Sequence, residues 1–463
     1  MAFLFLPTVH NYIYRQTQAA AAASLHAQAR NGGRSPVVES VCTTVADIVV
    51  MCSNCSLFFH LACLVYWGHA LPLGRQAVNV WACCVFLSHY LKDLLLIPKI
   101  TKVEPSLRAV CNSKRLKRAF ADSRTTWDLP CEPMCTLAAM LSMCAVLAAC
   151  VYPGYTVWVF FNALLVFACA SGSFAYLGLY SSPCLYTSAV LGGGVACLWV
   201  HYGDALEDTI FLWGSSAIVN LLLTLACAFF LLLGYPIPFK YSYSFPRVAR
   251  ALATATGFIV GGNSYALLAN HPGGGTNDCY GSVLRNLKVG LSQLRRQGLL
   301  GLSGLSGHAL TVSQECMYDS GKRAMGGVVV ALILRLLVSR FVHFQVSRRL
   351  LFYSPFFRPR LSANAASVLE GCDHRFLQTV EKAREDLYDA RRLRRQFELE
   401  RQTMIRKSGS KLGNRKEKRK KMEVAEGLIY EYAVPTNIAQ GVLEGLVCSC
   451  VVPFSLDLLL NHN

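Results

Sequence analysis

The chain has 463 residues, 53% of them apolar, and 45 Lys/Arg against 27 Asp/Glu give a net charge of +18. Charged residues are 16% of the chain, against about 25% in an ordinary soluble domain, and mean hydropathy is +0.36. Wholesale disorder is excluded by the apolar content. Apolar blocks long enough to span a bilayer argue against a soluble enzyme, and 20 Cys lying mostly inside those blocks argue against a disulfide scaffold.

Residues 1–40 read as a disordered or targeting N-terminal tail. No acidic residue precedes Glu39, and 19–23 is an alanine run. Such a start resembles a transit peptide; a disordered cytosolic tail is the other reading. The apolar stretch 3–7 is too short for a signal-peptide core.

Nine apolar blocks follow, at 41–67, 78–97, 133–152, 155–176, 185–201, 209–233, 251–268, 324–341 and 438–460. Each is near the length a helix needs to cross roughly 30 Å of hydrocarbon. Helices are required, because backbone groups in lipid must be paired within the segment. Two blocks are weaker. Block 185–201 holds Gly192, Gly193 and Gly194; block 438–460 holds Glu444 and Pro453 and reads either as a span or as a surface-lying segment.

The organisation predicted is all-α and polytopic, with eight or nine transmembrane helices. A transmembrane domain fills 41–269, a flexible polar loop 270–323 and a further transmembrane helix 324–341. A basic tail with an amphipathic helix occupies 342–430, and a C-terminal apolar segment 431–463. In the tail, Leu369, Phe376, Val380, Ala383, Leu387, Ala390 and Phe397 keep a three-four spacing among dense charge. That spacing predicts an amphipathic helix over 366–407, suited to a coiled-coil partner. A polybasic run fills 407–421. Residues 341–421 carry 21 Lys/Arg and 9 Asp/Glu, so an anionic lipid surface is the expected partner of the tail rather than nucleic acid. The basic segments 99–124, 239–250 and the tail all follow an even number of spans, which places them and the N-terminus in the cytosol.

Three motifs stand at helix ends. Tyr90-Leu91-Lys92-Asp93 and Pro98-Lys99 close the second block. Trp127-Asp128-Leu129-Pro130-Cys131-Glu132-Pro133-Met134 opens the third. Ser173-Phe174-Ala175-Tyr176-Leu177-Gly178-Leu179-Tyr180-Ser181-Ser182-Pro183-Cys184 closes the fourth. Their order and spacing resemble the type 2 phosphatidic acid phosphatase superfamily, nearest the sphingosine-1-phosphate phosphatases. The resemblance covers roughly 41–269 and includes a Tyr235-Pro…Ser244-Phe245 stretch similar to one downstream of the family's motifs.

The resemblance implies a helical bundle in an internal membrane, the endoplasmic reticulum rather than the mitochondrion. It also implies a site on the lumenal side, against the orientation given by charge. In the family a third-motif histidine attacks phosphorus, an aspartate orients it, a second-motif histidine protonates the leaving alcohol, and Lys/Arg clamp the phosphate. Here those positions are altered. The nucleophile position is Tyr180, its orienter Cys184, and the acid position Pro133. Cys131 replaces a serine, Phe174 an arginine, and Lys99 the first-motif arginine. Lys92 is intact, with Pro130, Ser173, Tyr176 and Gly178 as scaffold. A protonated phenol cannot stand in for an imidazole, and losing nucleophile, orienter and acid together abolishes the mechanism.

The implied function is a catalytically dead lipid-phosphate phosphatase homologue with a lipid-binding, regulatory or scaffold role. Lys92 and Lys99 would hold the head group of a membrane lipid, a phosphorylated sphingoid base or phosphatidate. Two alternatives stand: an active lipid phosphate phosphatase, rewired around His89 and Glu132 near Lys92, and a membrane scaffold without a head-group site. No cofactor or metal is expected, since Cys52-x-x-Cys55 and Cys131-x3-Cys135 lack a second pair.

Overall fold

A computed structural model describes residues 36–53, 55–68, 71–95, 130–151, 155–177, 179–210, 217–235, 244–268, 314–341 and 437–460. All belong to one compact unit, Met1–Phe344 with Thr436–Asn463. Gln345–Pro435 forms a second unit. The N-terminal tail, the loop 270–313, the amphipathic tail helix and the polybasic run lie outside the described residues.

Every described element is helical. They are α1 (Pro36–Cys52), α2 (Cys55–Trp67), α3 (Leu71–Leu95), α4 (Glu132–Val151), α5 (Thr156–Tyr176), α6 (Ser182–Ile210), α7 (Ala217–Leu233), α8 (Ser244–Leu268), α9 (Gln314–Phe341) and α10 (Asn437–Leu458). Prolines sit where a helix tolerates them: Pro133, Pro183 and Pro246 fall in the first turns of α4, α6 and α8, whose amide hydrogens have no intrahelical acceptor.

Among the described residues, four helices are long and apolar enough to cross a membrane: α4, α5, α6 and α10. Val41–Cys52 and Leu57–Trp67, bent by 53°, make a fifth if they form one span. The block expected at 41–67 is thus a broken helix. Both blocks that looked weakest in sequence pass this test. The helices that hold the blocks at 78–97, 251–268 and 324–341 also carry charge: α3 carries Arg75, Lys92 and Asp93, α8 carries Arg247 and Arg250, and α9 carries Lys322 and Arg323. In α7 the apolar helix is short, Leu222–Leu233. The chain has the helices of an integral membrane protein.

Surface chemistry agrees. Only Ala170 and Phe174 of α5 are buried. Tyr155, Trp158, Phe161, Leu164 and Leu165 are all exposed, as are Leu222, Phe229, Phe230 and Leu233 of α7. Apolar faces of this extent are untenable in water and natural against lipid. Tyr155 and Trp158 open α5, where an amphipathic ring suits the membrane interface.

The interior is built on α4, which packs against α3, α5 and α6. Gly192 of α6 lies so close to α4 that a Cβ would overlap the Cys135 carbonyl, while Gly193 and Gly194 face open space. Close helix packing through a small residue therefore occurs at Gly192. A large apolar core joins α2, α3, α4, α6, α8 and α10 around Tyr66, Val78, Val85, Phe258 and Val452.

The C-terminal segment is a packed helix of the bundle. Gly257-x3-Gly261 on α8 meets Gly441-x3-Gly445 on α10, running in parallel. A Cβ on Gly257 would overlap the Val442 carbonyl, and one on Gly445 the Thr254 carbonyl. Between helices in lipid there is little hydrophobic drive, so close backbone approach through small residues supplies the attraction. Polar ties reinforce it. Arg323 of α9 and Tyr265 of α8 both bond the Asp457 carboxylate, at 2.7 and 2.5 Å.

Pro453 explains a local irregularity. It has no N–H, so the Ser449 carbonyl one turn earlier loses its usual donor. The chain widens to a π-helix over Val447–Val451. The Val452 N–H reaches the Val447 carbonyl, and the next two carbonyls are taken by α2: Trp67 Nε1 donates to Cys448 O at 2.8 Å and Tyr66 Oη to Ser449 O at 2.9 Å. Tyr66→Phe is expected to lower stability by about 1 kcal/mol. Adding Pro453→Ala should recover part of that loss, because the restored N–H takes up a carbonyl. Unfolding of the purified protein in mixed detergent measures both.

Candidate functional site

Near the C-terminal end of α3, His89, Lys92 and Asp93 are spaced three and four apart and share one helical face. All three are buried, as is Glu132, the first residue of α4. His89 Nε2 and Glu132 Oε2 are 2.9 Å apart, and Arg247 Nε of α8 lies 3.2 Å from Glu132 Oε1. Both carboxylate oxygens are thereby engaged. Arg247 is half exposed, at 53% of its side chain, while Glu132 is at 5%. Lys92 acts electrostatically on both Glu132 and His89. Among the described residues it makes no ion pair. His89 Nδ1 is buried and has no hydrogen-bond partner.

Asp93 is held separately. Tyr235 Oη donates to its Oδ2 at 2.5 Å. Tyr235 packs edge-on against Tyr90 and Phe86 and against Phe245 of α8. The Tyr235…Phe245 stretch, singled out in the sequence, thus meets the first motif through Tyr235, on which Phe245 packs.

Motifs two and three meet in an apolar nest. Cys131, Met134, Phe174, Leu177, Cys184 and Leu185 are buried together, with Tyr176, Leu179, Tyr180 and Leu95 against them. Phe174 and Tyr180 pack with ring centroids 5.7 Å apart and planes tilted by 59°. The Cys131 N–H donates to Ser188 Oγ at 2.6 Å, and Ser188 in turn donates to the Cys184 carbonyl at 2.6 Å. This fixes the start of α4 against α6. Pro130 is buried beside it. Ser173 Oγ is spent on the Cys169 carbonyl of its own helix.

The three motifs therefore come to one end of the bundle and sort by chemistry. Lys92, with His89 and Glu132, belongs to a charged cluster. Cys131, Phe174, Tyr180 and Cys184 belong to an adjoining apolar one, joined to the first through the Cys131-Glu132 peptide. Pro133 is the second residue of α4 and brings no titratable group. Lys99 lies outside the described residues. Arg247 was not among the residues singled out in the sequence. Its signal was there, as a cation one turn before Arg250 at the entry to an apolar block, where charge at the membrane points to a partner.

No protein-family model, curated protein or solved structure matches this chain.

Proposed function

We propose that the chain is a catalytically inert relative of the lipid-phosphate phosphatases that holds an anionic lipid head group at Lys92. The observation that carries this reading is the placement of Lys92 in the cluster. Both Glu132 oxygens are taken by Arg247 and His89, and Tyr235 bonds Asp93. Lys92 is buried, senses Glu132 electrostatically and makes no direct ion pair among the described residues. A phosphate ester at the membrane edge gives it one. Arg247, half exposed, provides a second cation facing outward.

The absence of catalysis follows from the nest. Tyr180 and Phe174 pack on each other, Cys184 is buried, and Pro133 lies in the first turn of α4. None can attack phosphorus or protonate an alkoxide. On this reading the bundle is of the family's type and crosses the membrane eight or nine times. The polar faces of α3, α8 and α9 are turned inward, the host membrane is internal, and the basic tail adds contact with anionic lipid.

A second reading has one observation in its favour. His89 is bonded through Nε2 to a carboxylate and keeps Nδ1 unpartnered, with Lys92 nearby. That is the arrangement of an oriented imidazole nucleophile beside a cation. Phosphate release from phosphatidate and sphingosine-1-phosphate by purified protein in liposomes separates the two. The expected result is release at background. Release that survives Tyr180→Phe and is lost in His89→Ala would establish the second reading.

A further inference from the structure

A cavity of about 300 Å³ lies between α2, α8, α9 and α10, apart from the Lys92 cluster. We propose that it binds an uncharged single-chain lipid with a hydroxyl-bearing head, of the monoacylglycerol class.

The lining changes character along its length. On α10 it passes from Gln440 and Glu444 to Val447 and Cys448, a rise of about 12 Å. Leu64, Trp67, Val328 and Ala331 continue the apolar part. At the polar end Arg250 Nη2 and Glu444 Oε2 are paired at 2.8 Å, with Glu444 well shielded and Arg250 at 41% exposure. The cavity thus has a polar head region and an oily body, the form of an amphiphile.

Charge selects the head. The Arg250–Glu444 pair is balanced. An anionic head would meet the shielded Glu444 carboxylate, and a cationic head would compete with Arg250 for it, so either adds a charge to a balanced site. A hydroxyl does neither. It donates to the carboxylate and accepts from the guanidinium while the pair stays intact.

Size selects the body. At the share of volume a liquid water takes, the space holds about ten heavy atoms, at the lower end of the roughly 300–1,000 Å³ of ligand pockets. Part of one acyl chain fits; a fused-ring sterol body does not. Leu332 also lines the cavity and is 57% exposed on the apolar surface of α9, so the chain enters sideways from the bilayer. Val447 and Cys448 of the π-segment line the cavity.

The experiment uses the full chain in lipid nanodiscs and a monoacylglycerol carrying a diazirine in its acyl chain. Photolabelled peptides should map to α2, α9 and α10, and excess unlabelled monoacylglycerol should remove the label. Ala331→Phe and Val328→Phe fill the cavity. Either, if it melts like the parent, should cut labelling at least fivefold, and Lys92→Ala should leave it unchanged. Labelling that persists in folded filled variants would overturn the proposal. So would equal or stronger labelling by a fatty-acid or sterol probe.

Discussion

Replacing Glu132 by alanine is expected to destabilise the folded protein by about 3–5 kcal/mol, the usual cost of removing one partner from a buried charge pair. Glu132 is the only carboxylate shown to bond both His89 and Arg247, and Lys92 stands beside it. Arg247, half exposed, is solvated when Glu132 is lost. Lys92, buried, has no such escape. Glu132→Gln should cost less, since an amide still bonds the imidazole and keeps the cavity filled. The discriminating step is a second change. Lys92→Met in the Glu132→Gln background should restore stability, because no unbalanced charge is then left inside. Chemical unfolding in mixed detergent, with the double-mutant cycle closed, measures the coupling. Additive losses would mean that Lys92 and Glu132 do not sense each other.

Replacing Gly445 by leucine should release α10 from the bundle. A Cβ there already overlaps the Thr254 carbonyl and comes close to Phe258 N, and these are backbone atoms that cannot swing aside. A branched side chain forces the helices apart and undoes the contacts that follow. These are the Tyr66 and Trp67 bonds to the π-segment, the Arg250–Glu444 pair and the Asp457 ties. Gly445→Ala should show the same effect more weakly. Gly193→Leu is the control, because that glycine meets nothing within 4 Å. Protease sensitivity of the C-terminal segment and yield of monodisperse protein give the readout. Equal behaviour of Gly445→Leu and Gly193→Leu would contradict the packing.

Helices were legible in the sequence because a bilayer demands about 20 apolar residues in a row, and those runs are plain to the eye. Their polarity was less legible. Blocks at 78–97, 251–268 and 324–341 were read as apolar, yet their helices extend beyond the blocks into Arg75, Arg247, Arg250 and Arg323. These residues find partners only when the bundle is assembled. The C-terminal segment shows the converse. Glu444 and Pro453 made it look surface-bound, but each is accommodated by a distant residue: Glu444 by Arg250, and the Pro453 gap by Tyr66 and Trp67. The Gly257 and Gly261 spacing and its counterpart at Gly441 and Gly445 were visible as patterns. That they face each other was not, because nearly two hundred residues separate them.

The site divides in the same way. Lys92 stood out through its motif, and the apolar replacements Phe174, Tyr180 and Cys184 do pack together, as residues that have lost polar duties would. His89 was named only in the rewired alternative, and its bond to Glu132 could not be read from a separation of 43 positions. Arg247 had no motif to mark it.

The most direct measurement of the central claim is head-group binding by the intact protein in nanodiscs doped with phosphatidate, followed by retention of a soluble short-chain phosphatidate. Saturable binding without phosphate release, weakened at least tenfold by Lys92→Ala and largely kept by Lys92→Arg, is the predicted result. Binding indifferent to Lys92, or turnover of the bound phosphate, would contradict it.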